Sequence, residues 1–288
     1  MKIVNTIKEM QAIVDETRQA GKRIGFVPTM GALHEGHLSL VDQAKRRSDV
    51  VVMSIFVNPM QFGQGEDFEK YPRDLDRDSK MAEVRGVDYV FAPTEGEMYP
   101  EEPITFVEVQ KVSQILEGEF RPEHFRGVTT VVAKMFNIVK PHLAVFGQKD
   151  AQQAFIIREM VKDLDFDVDV IVAPIVRESD GLAMSSRNAY LSPEQRKEAT
   201  VLYRSLKLAE AMIEGGEAGL VKVRSAMVKL ITKESKGKID YVSFVDPASF
   251  EKVEDTALAA QILSVMAVRF GQTRLIDNLL VEVPKKIG

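Results

Sequence analysis

The stretch Ile24-Gly25-Phe26-Val27-Pro28-Thr29-Met30-Gly31-Ala32-Leu33-His34-Glu35-Gly36-His37 decides how the rest of this chain is read. It opens as a short apolar run of strand type and passes through a turn-like link, Pro28-Thr29-Met30-Gly31. Residues 38–47 then place Leu38, Val41 and Ala44 at helical spacing. Two imidazoles therefore stand where a strand hands over to a helix. The unpaired N–H groups and positive dipole end of a helix start favour an anion. An imidazole can donate hydrogen bonds to phosphate oxygens, and a protonated one adds charge. His-x-x-His at this place points to work on a nucleotide's phosphates. In isolation such a pair reads more readily as one histidine capping the helix and the other packing against the sheet. Zinc is disfavoured, because the chain has no cysteine and the other histidines, His124 and His142, lie far off in sequence.

Composition narrows the class. A chain of 288 residues holds one large α/β domain or two domains of unequal size. An apolar fraction of 45% with 28% charged residues is ordinary for a soluble globular protein. The net charge of −5 leaves no footprint for nucleic acid or for an anionic membrane. Without cysteine there are no disulfides and no thiolate chemistry. Met1-Lys2-Ile3-Val4-Asn5-Thr6 runs directly into an amphipathic pattern without a signal-peptide core, and no segment is long and apolar enough to span a bilayer. The expected location is the cytoplasm.

Over the first 175 or so residues, β-like runs at 24–27, 50–57, 87–92, 143–146 and 168–172 alternate with helical patterns. The clearest helix covers 128–139, with Val128, Val131, Val132, Met135, Ile138 and Val139 on one face; another, over 151–164, groups Ala154, Ile157, Val161 and Leu164. This alternation predicts a Rossmann-like, doubly wound parallel sheet with helices on both faces, spanning residues 1–176. Ligands bind such sheets at the carboxyl ends of the strands. Residues 177–288 read differently. A polar loop leads to Leu191-Ser192-Pro193, with Ser192 as N-cap and Pro193 at the first helical position. A long helix to about Ile213 ends at Gly215-Gly216; a second helix follows, then β-like runs at 239–245, 262–270 and 275–283. The expectation is a smaller α+β C-terminal domain.

Further constellations sit at the predicted strand ends. Asn58-Pro59-Met60-Gln61-Phe62 offers uncharged amides suited to hydroxyls and a carboxylate, and also fits an ordinary turn. In Gly147-Gln148-Lys149-Asp150 a lysine can neutralise phosphate, while Asp150 can cap the next helix or bind a ribose hydroxyl or metal. Met184-Ser185-Ser186-Arg187 brings two hydroxyls and a guanidinium, apt for a polyphosphate; its composition alone favours a flexible polar linker. Asp74, Asp76 and Asp78 form an acidic stretch that can face magnesium through water or, for most of its members, simply solvent. No Walker loop and no G-x-G-x-x-G occurs.

In order, residues 28–37, 58–62, 146–150 and 184–187, together with Tyr71-Pro72-Arg73 and His124-Phe125-Arg126-Gly127, resemble the pantothenate synthetases, or pantoate–β-alanine ligases, over essentially the whole chain. Residues 34–37 resemble the HIGH signature of the nucleotidyltransferase superfamily, and residues 184–187 its KMSKS loop with serine and arginine in place of the lysines. Met60 stands where a threonine or leucine is expected. The resemblance implies an ATP-dependent ligase that activates pantoate as pantoyl adenylate and passes it to β-alanine. It assigns catalysis to His34, His37, Lys149 and Arg187, with His37 as proton donor. ATP would be held by Met30, Gly31, Ala32, Leu33, His34, Glu35, Gly36, His37, Gly147, Gln148, Lys149, Asp150, Val176, Met184, Ser185, Ser186 and Arg187. Pantoate falls to Gln61 and Gln153, β-alanine to Gln61 and Asn58, and a magnesium contact to Asp78. A homodimer is implied, and a lid role for the second domain. The rival readings are a nucleotidyltransferase acting on a phosphorylated substrate and a catalytically silent nucleotide sensor; the sensor could dispense with both histidines and Arg187.

Overall fold

Phe26 and Val27 are neighbours on one strand, both fully buried, yet they belong to different cores. Successive side chains of a strand point to opposite faces, so an unbroken apolar run means a sheet covered on both sides. The computed structural model describes residues 1–284 and divides into two compact units, Met1–Pro174 and Ile175–Gly288.

The first unit contains β1 (Lys2–Val4), β2 (Ile24–Thr29), β3 (Val50–Ile55), β4 (Tyr89–Phe91), β5 (Leu143–Gly147) and β6 (Asp169–Ala173). They form one sheet in the order β1-β4-β3-β2-β5-β6, and every pairing is parallel. On one face Phe26, Val52, Phe91 and Phe146 pack with Val128, Val132, Met135, Phe136 and Val139 of the His124–Val139 helix, Ile157 of Ala151–Asp163 and Met10 of Ile7–Gln19. On the other, Val27, Met53, Val90 and Val145 meet Leu40, Val41 and Ala44 of the Glu35–Lys45 helix. Burying a side chain such as Phe26 completely stabilises the fold by roughly 1.5–3 kcal/mol. The doubly wound sheet expected from the alternating pattern is present.

One element went unread and one local expectation is corrected. Ahead of the amphipathic helix, which starts at Ile7 with Thr6 as its cap, residues 2–4 are an edge strand registered on Tyr89 to Phe91. Three residues carry no readable period, so only pairing defines that strand. The long helix expected after Ser192 is two helices, Pro193–Ala199 and Val201–Glu214. Its start is as expected, with Ser192 and Gln195 closing a capping box around Pro193. The break falls at Thr200, whose hydroxyl turns back to donate to the Lys197 carbonyl at 2.8 Å.

In the second unit β7 (Lys238–Val245), β8 (Gln261–Phe270) and β9 (Thr273–Glu282) form an antiparallel sheet. Phe244, Met266, Val268 and Leu275 pack there with Leu202, Leu206 and Ile213 of Val201–Glu214 and with Val223, Met227 and Ile231 of Leu220–Glu234. Among the described residues no helix is long and apolar enough to cross a membrane.

Candidate active site

The parallel sheet reverses direction of growth between β2 and β5, with β3 and β4 added on one side and β6 on the other. Ligand crevices form beyond the carboxyl ends of the strands at such a reversal. His34 and His37 follow β2, Asn58 and Gln61 follow β3, and Lys149 and Asp150 follow β5. Three groups singled out from the sequence therefore share one sheet edge.

His34 is the N-cap of Glu35–Lys45. Its Nδ1 accepts the Gly36 N–H at 3.1 Å, and the Nδ1 of His37 accepts the His34 N–H at 3.4 Å. The ring centroids lie 4.1 Å apart. A neutral imidazole that accepts at Nδ1 carries its proton on Nε2, so this geometry assigns an Nε2–H donor to both rings. Burial drives the His37 pKa down from 6.5 to about 3, helped by His34 and by the Lys149 ammonium. At that value the ring is neutral in the free protein, and what it offers a phosphate is an N–H hydrogen bond. The cap reading is realised at His34, whose Nδ1 serves the helix, and in each ring Nε2–H faces outward from its Nδ1 bond.

The turn between β2 and this helix is held from a distance. Gly31 and Ala32 have φ of +84° and +50°, the latter a left-handed conformation costing a non-glycine residue about 1–2 kcal/mol. Asp78, 1% exposed, accepts the Ala32 N–H at 2.7 Å and the Leu33 N–H at 2.9 Å. Arg77 reaches the same carboxylate at 3.3 Å and donates to the Leu33 carbonyl at 3.1 Å. Asp78 thus tethers the turn that delivers the histidine pair. Both its oxygens are engaged by backbone, and among the described residues no three His, Asp or Glu side chains are placed to hold a metal. Nor is Asp78 part of a solvated face.

Asn58, 1% exposed, is also turned inward. Its Oδ1 accepts from Tyr99 Oη at 2.9 Å and Met60 N–H at 3.4 Å; its Nδ2 donates to the Gly127 carbonyl at 3.1 Å and to Gln61 Oε1 at 3.3 Å. An asparagine amide has two donors and one doubly accepting oxygen, and all are engaged. In this structure the Asn58 side chain holds its own turn against Tyr99 and the Gly127 carbonyl. Gln61 Nε2 faces Met30 Sδ at 3.0 Å, a weak acceptor. The Gln61 carbonyl accepts from Arg121 Nη2 at 3.3 Å and His124 Nδ1–H at 2.8 Å, since His124 Nε2 must accept from Arg121 Nη1. Glu66 grips Arg121 at 2.6 and 2.8 Å. Burial raises the Glu66 pKa, but Arg121 outweighs it and holds the carboxyl below the usual range. Gly127 lets the helix close on this turn, because a Cβ there would meet the Met60 carbonyl oxygen at 2.2 Å. Arg121 and Glu66 were not singled out from the sequence. Their roles come from contacts 55 to 60 residues apart, which leave no local signal.

Gly147 ends β5, residues 148–150 form a single 3-10 turn, and Lys149 Nζ lies 3.8 Å from Asp150 Oδ1. Asp150 takes the N-cap position of Ala151–Asp163 without a side-chain capping bond. Gln153 is partly exposed one turn on, while its neighbour Gln152 is buried and donates to the Val112 and Ile115 carbonyls at 2.7 and 2.8 Å.

Val176, Met184, Ser185, Ser186 and Arg187 lie in the second unit. The Met184 N–H donates to the Val176 carbonyl at 3.0 Å, and Ser185 Oγ accepts the Arg187 N–H at 3.3 Å. Arg177 pairs with both oxygens of the buried Asp277 at 2.7 and 2.9 Å, and its guanidinium lies 4.2 Å from the Tyr203 ring centre. Arg196 binds Glu178 and Asp180, each at 2.8 Å. The polar linker expected from composition is a tied loop.

Strand order and site edge place the protein among the doubly wound α/β proteins that bind ligands at a switch point between strand ends. The family model for pantoate-beta-alanine ligase matches residues 2–280. The chain belongs to the pantoate–beta-alanine ligase family, whose members are enzymes. It is 56% identical to the pantothenate synthetase of Caldicellulosiruptor saccharolyticus, over 98% of this chain and 100% of that one. To the pantothenate synthetase of Acetivibrio thermocellus it is 54% identical with the same coverage. The crystal structure of pantothenate synthetase from Thermus thermophilus matches with a TM-score of 0.92 at 45% identity, over 97% of this chain and 99% of that one. The pantoate-beta-alanine ligase of Francisella tularensis, solved with beta-gamma ATP and beta-alanine, matches with a TM-score of 0.81 at 35% identity, over 97% of each chain.

Proposed function

We propose that this enzyme condenses pantoate with β-alanine in two steps. The pantoate carboxylate attacks the α-phosphorus of ATP, forming pantoyl adenylate as pyrophosphate leaves. The β-alanine amine then attacks the acyl carbon, AMP leaves, and the amine gives up a proton, yielding pantothenate. A free carboxylate resists amines because oxide would have to depart; the adenylate carries a good leaving group. Catalysis then rests on positioning and electrostatics.

The observation that carries this reading is the common sheet edge of phosphate-suited donors and a neutral amide-lined group. The Nε2–H groups of His34 and His37 and the Lys149 ammonium suit charge on the transferring phosphate. Gln61 and Gln153 suit pantoate's hydroxyls and carboxylate, and Gln61 also β-alanine. Met30 to Leu33 and Gly147 supply backbone near adenosine, and Asp150, with no capping bond of its own, suits the ribose. The resemblance assigns Ser185, Ser186 and Arg187 to the polyphosphate, Val176 and Met184 to the nucleotide, and a lid role to the unit that carries them. Magnesium would be coordinated by the triphosphate oxygens and water, in keeping with its preference for few protein ligands.

Mixing enzyme, ATP, magnesium and pantoate without amine should produce an adenylated acid by mass spectrometry and pantoate-dependent ATP–pyrophosphate exchange. A product that retains the nucleotide, with no AMP released on adding β-alanine, would establish nucleotidyl transfer instead. Gln61→Ala should raise the KM for pantoate by about 10-fold or more, the scale for leaving a polar substrate group unpaired, with a much smaller change for ATP. Equal changes for both would remove Gln61 from the pantoate site.

A further inference from the structure

We propose that Tyr99 is a positioning residue for pantoate selection: through Asn58, its phenol sets which end of the Gln61 amide faces the acid. The inference rests on the assignment of Gln61 to pantoate.

An amide side chain can present either oxygen or N–H, and rotation by half a turn exchanges them. For Gln61 the choice is made by a chain of hydrogen bonds. Asn58 Oδ1 is identified as oxygen because the Met60 N–H can only donate to it, at 3.4 Å. Tyr99 Oη, 2.9 Å from that oxygen, must therefore be a donor too. With its oxygen so occupied, Asn58 turns Nδ2 to the Gly127 carbonyl and to Gln61 Oε1. Capture of Oε1 leaves Gln61 presenting Nε2–H, whose partner within the protein is the weakly accepting Met30 sulfur. A strong oxygen acceptor, such as the carboxylate or a hydroxyl of a hydroxy acid, improves on that partner. A ligand offering N–H at the same point would be refused.

Tyr99 is built to stay in place and to stay a donor. It follows the short Glu95–Met98 helix beyond β4, its ring centre is 6.3 Å from that of Phe56, and the Lys134 ammonium lies 5.2 Å from its ring centre. Burial, with Glu95 adding to it, pushes the phenol up to about 12, so the O–H persists at any working pH.

Two variants of the full chain test the relay. Tyr99→Phe keeps the ring and removes the O–H; the pantoate KM should rise roughly 3- to 10-fold, the worth of one hydrogen bond, with the ATP KM nearly unchanged. The side-chain NH2 resonances of Asn58 and Gln61, seen in amide-labelled protein, should shift in the same variant. Asn58→Asp replaces the donor to Gln61 Oε1 with a second acceptor, inverting the demand on Gln61; its pantoate KM should rise further, again with little change for ATP. Unmoved amide resonances in Tyr99→Phe would overturn the relay, as would an equal rise in the KM for every substrate. If Gln61→Ala leaves the pantoate KM unchanged while those resonances do shift, the relay stands and the assignment of Gln61 to pantoate fails.

Discussion

Substituting His37 by alanine should lower kcat by about 10²- to 10³-fold, the scale for removing one preorganised donor to a charged transition state. The fold should survive. The ring's structural contribution is one acceptor for the His34 N–H, and losing such a cap costs about 0.5–2 kcal/mol. His37→Gln, which carries an N–H near the Nε2 position, should recover part of the rate. Steady-state kinetics beside thermal melting checks both, and undiminished turnover in His37→Ala would remove the residue from catalysis.

The protonation state makes the same point by another route. The folded pKa of His37 is about 3 against an ordinary 6.5. Between those values the unfolded chain binds a proton that the folded chain does not, so this residue lowers stability as pH falls through 6.5 toward 3. In the free enzyme the ring nitrogen signals of His37 should stay those of a neutral imidazole from pH 8 to about 4. A titration near 6.5 would overturn the neutral ring and bring back a protonated general acid at neutral pH.

Asp78→Ala should destabilise the first unit by roughly 2–6 kcal/mol, because it strands two buried backbone N–H groups at about 1–3 kcal/mol each. Activity should fall as well. The freed groups belong to Ala32 and Leu33, in the turn that delivers the histidine pair, and Ala32 holds a left-handed backbone there. Melting in the absence of magnesium separates this from a metal-ligand role. The tether predicts a lowered melting temperature without the ion and no rescue by raising it. A variant with unaltered melting whose activity returns at high magnesium would reinstate Asp78 as a ligand.

The parts of this molecule legible in the sequence are those set within a few residues. The strand at 24–27 and the helix after it announced themselves through an apolar run and helical spacing, and so did the strands around 50, 90, 143 and 170. Ser192-Pro193 marked its helix start through capping chemistry that acts over three residues. Residues 2–4 went unread because an edge strand of that length exists only through its register with residues 89–91. What Asp78 holds went unread because its partners lie 45 and 46 positions earlier. The partners of the Asn58 amide went unread because Tyr99 lies 41 residues on and Gly127 69 residues on.

The kind of sheet and several helix starts were legible in the linear sequence, since hydrophobic period and helix capping are local properties of a chain; the family entered through the resemblance of its ordered motifs and was shown by comparison with relatives. Whether His37 carries a charge, what Asp78 holds and which way Gln61 turns its amide were settled by folding alone. Each depends on burial and on partners brought from elsewhere in the chain, and neither desolvation nor a long-range hydrogen bond leaves a mark on the residues nearby.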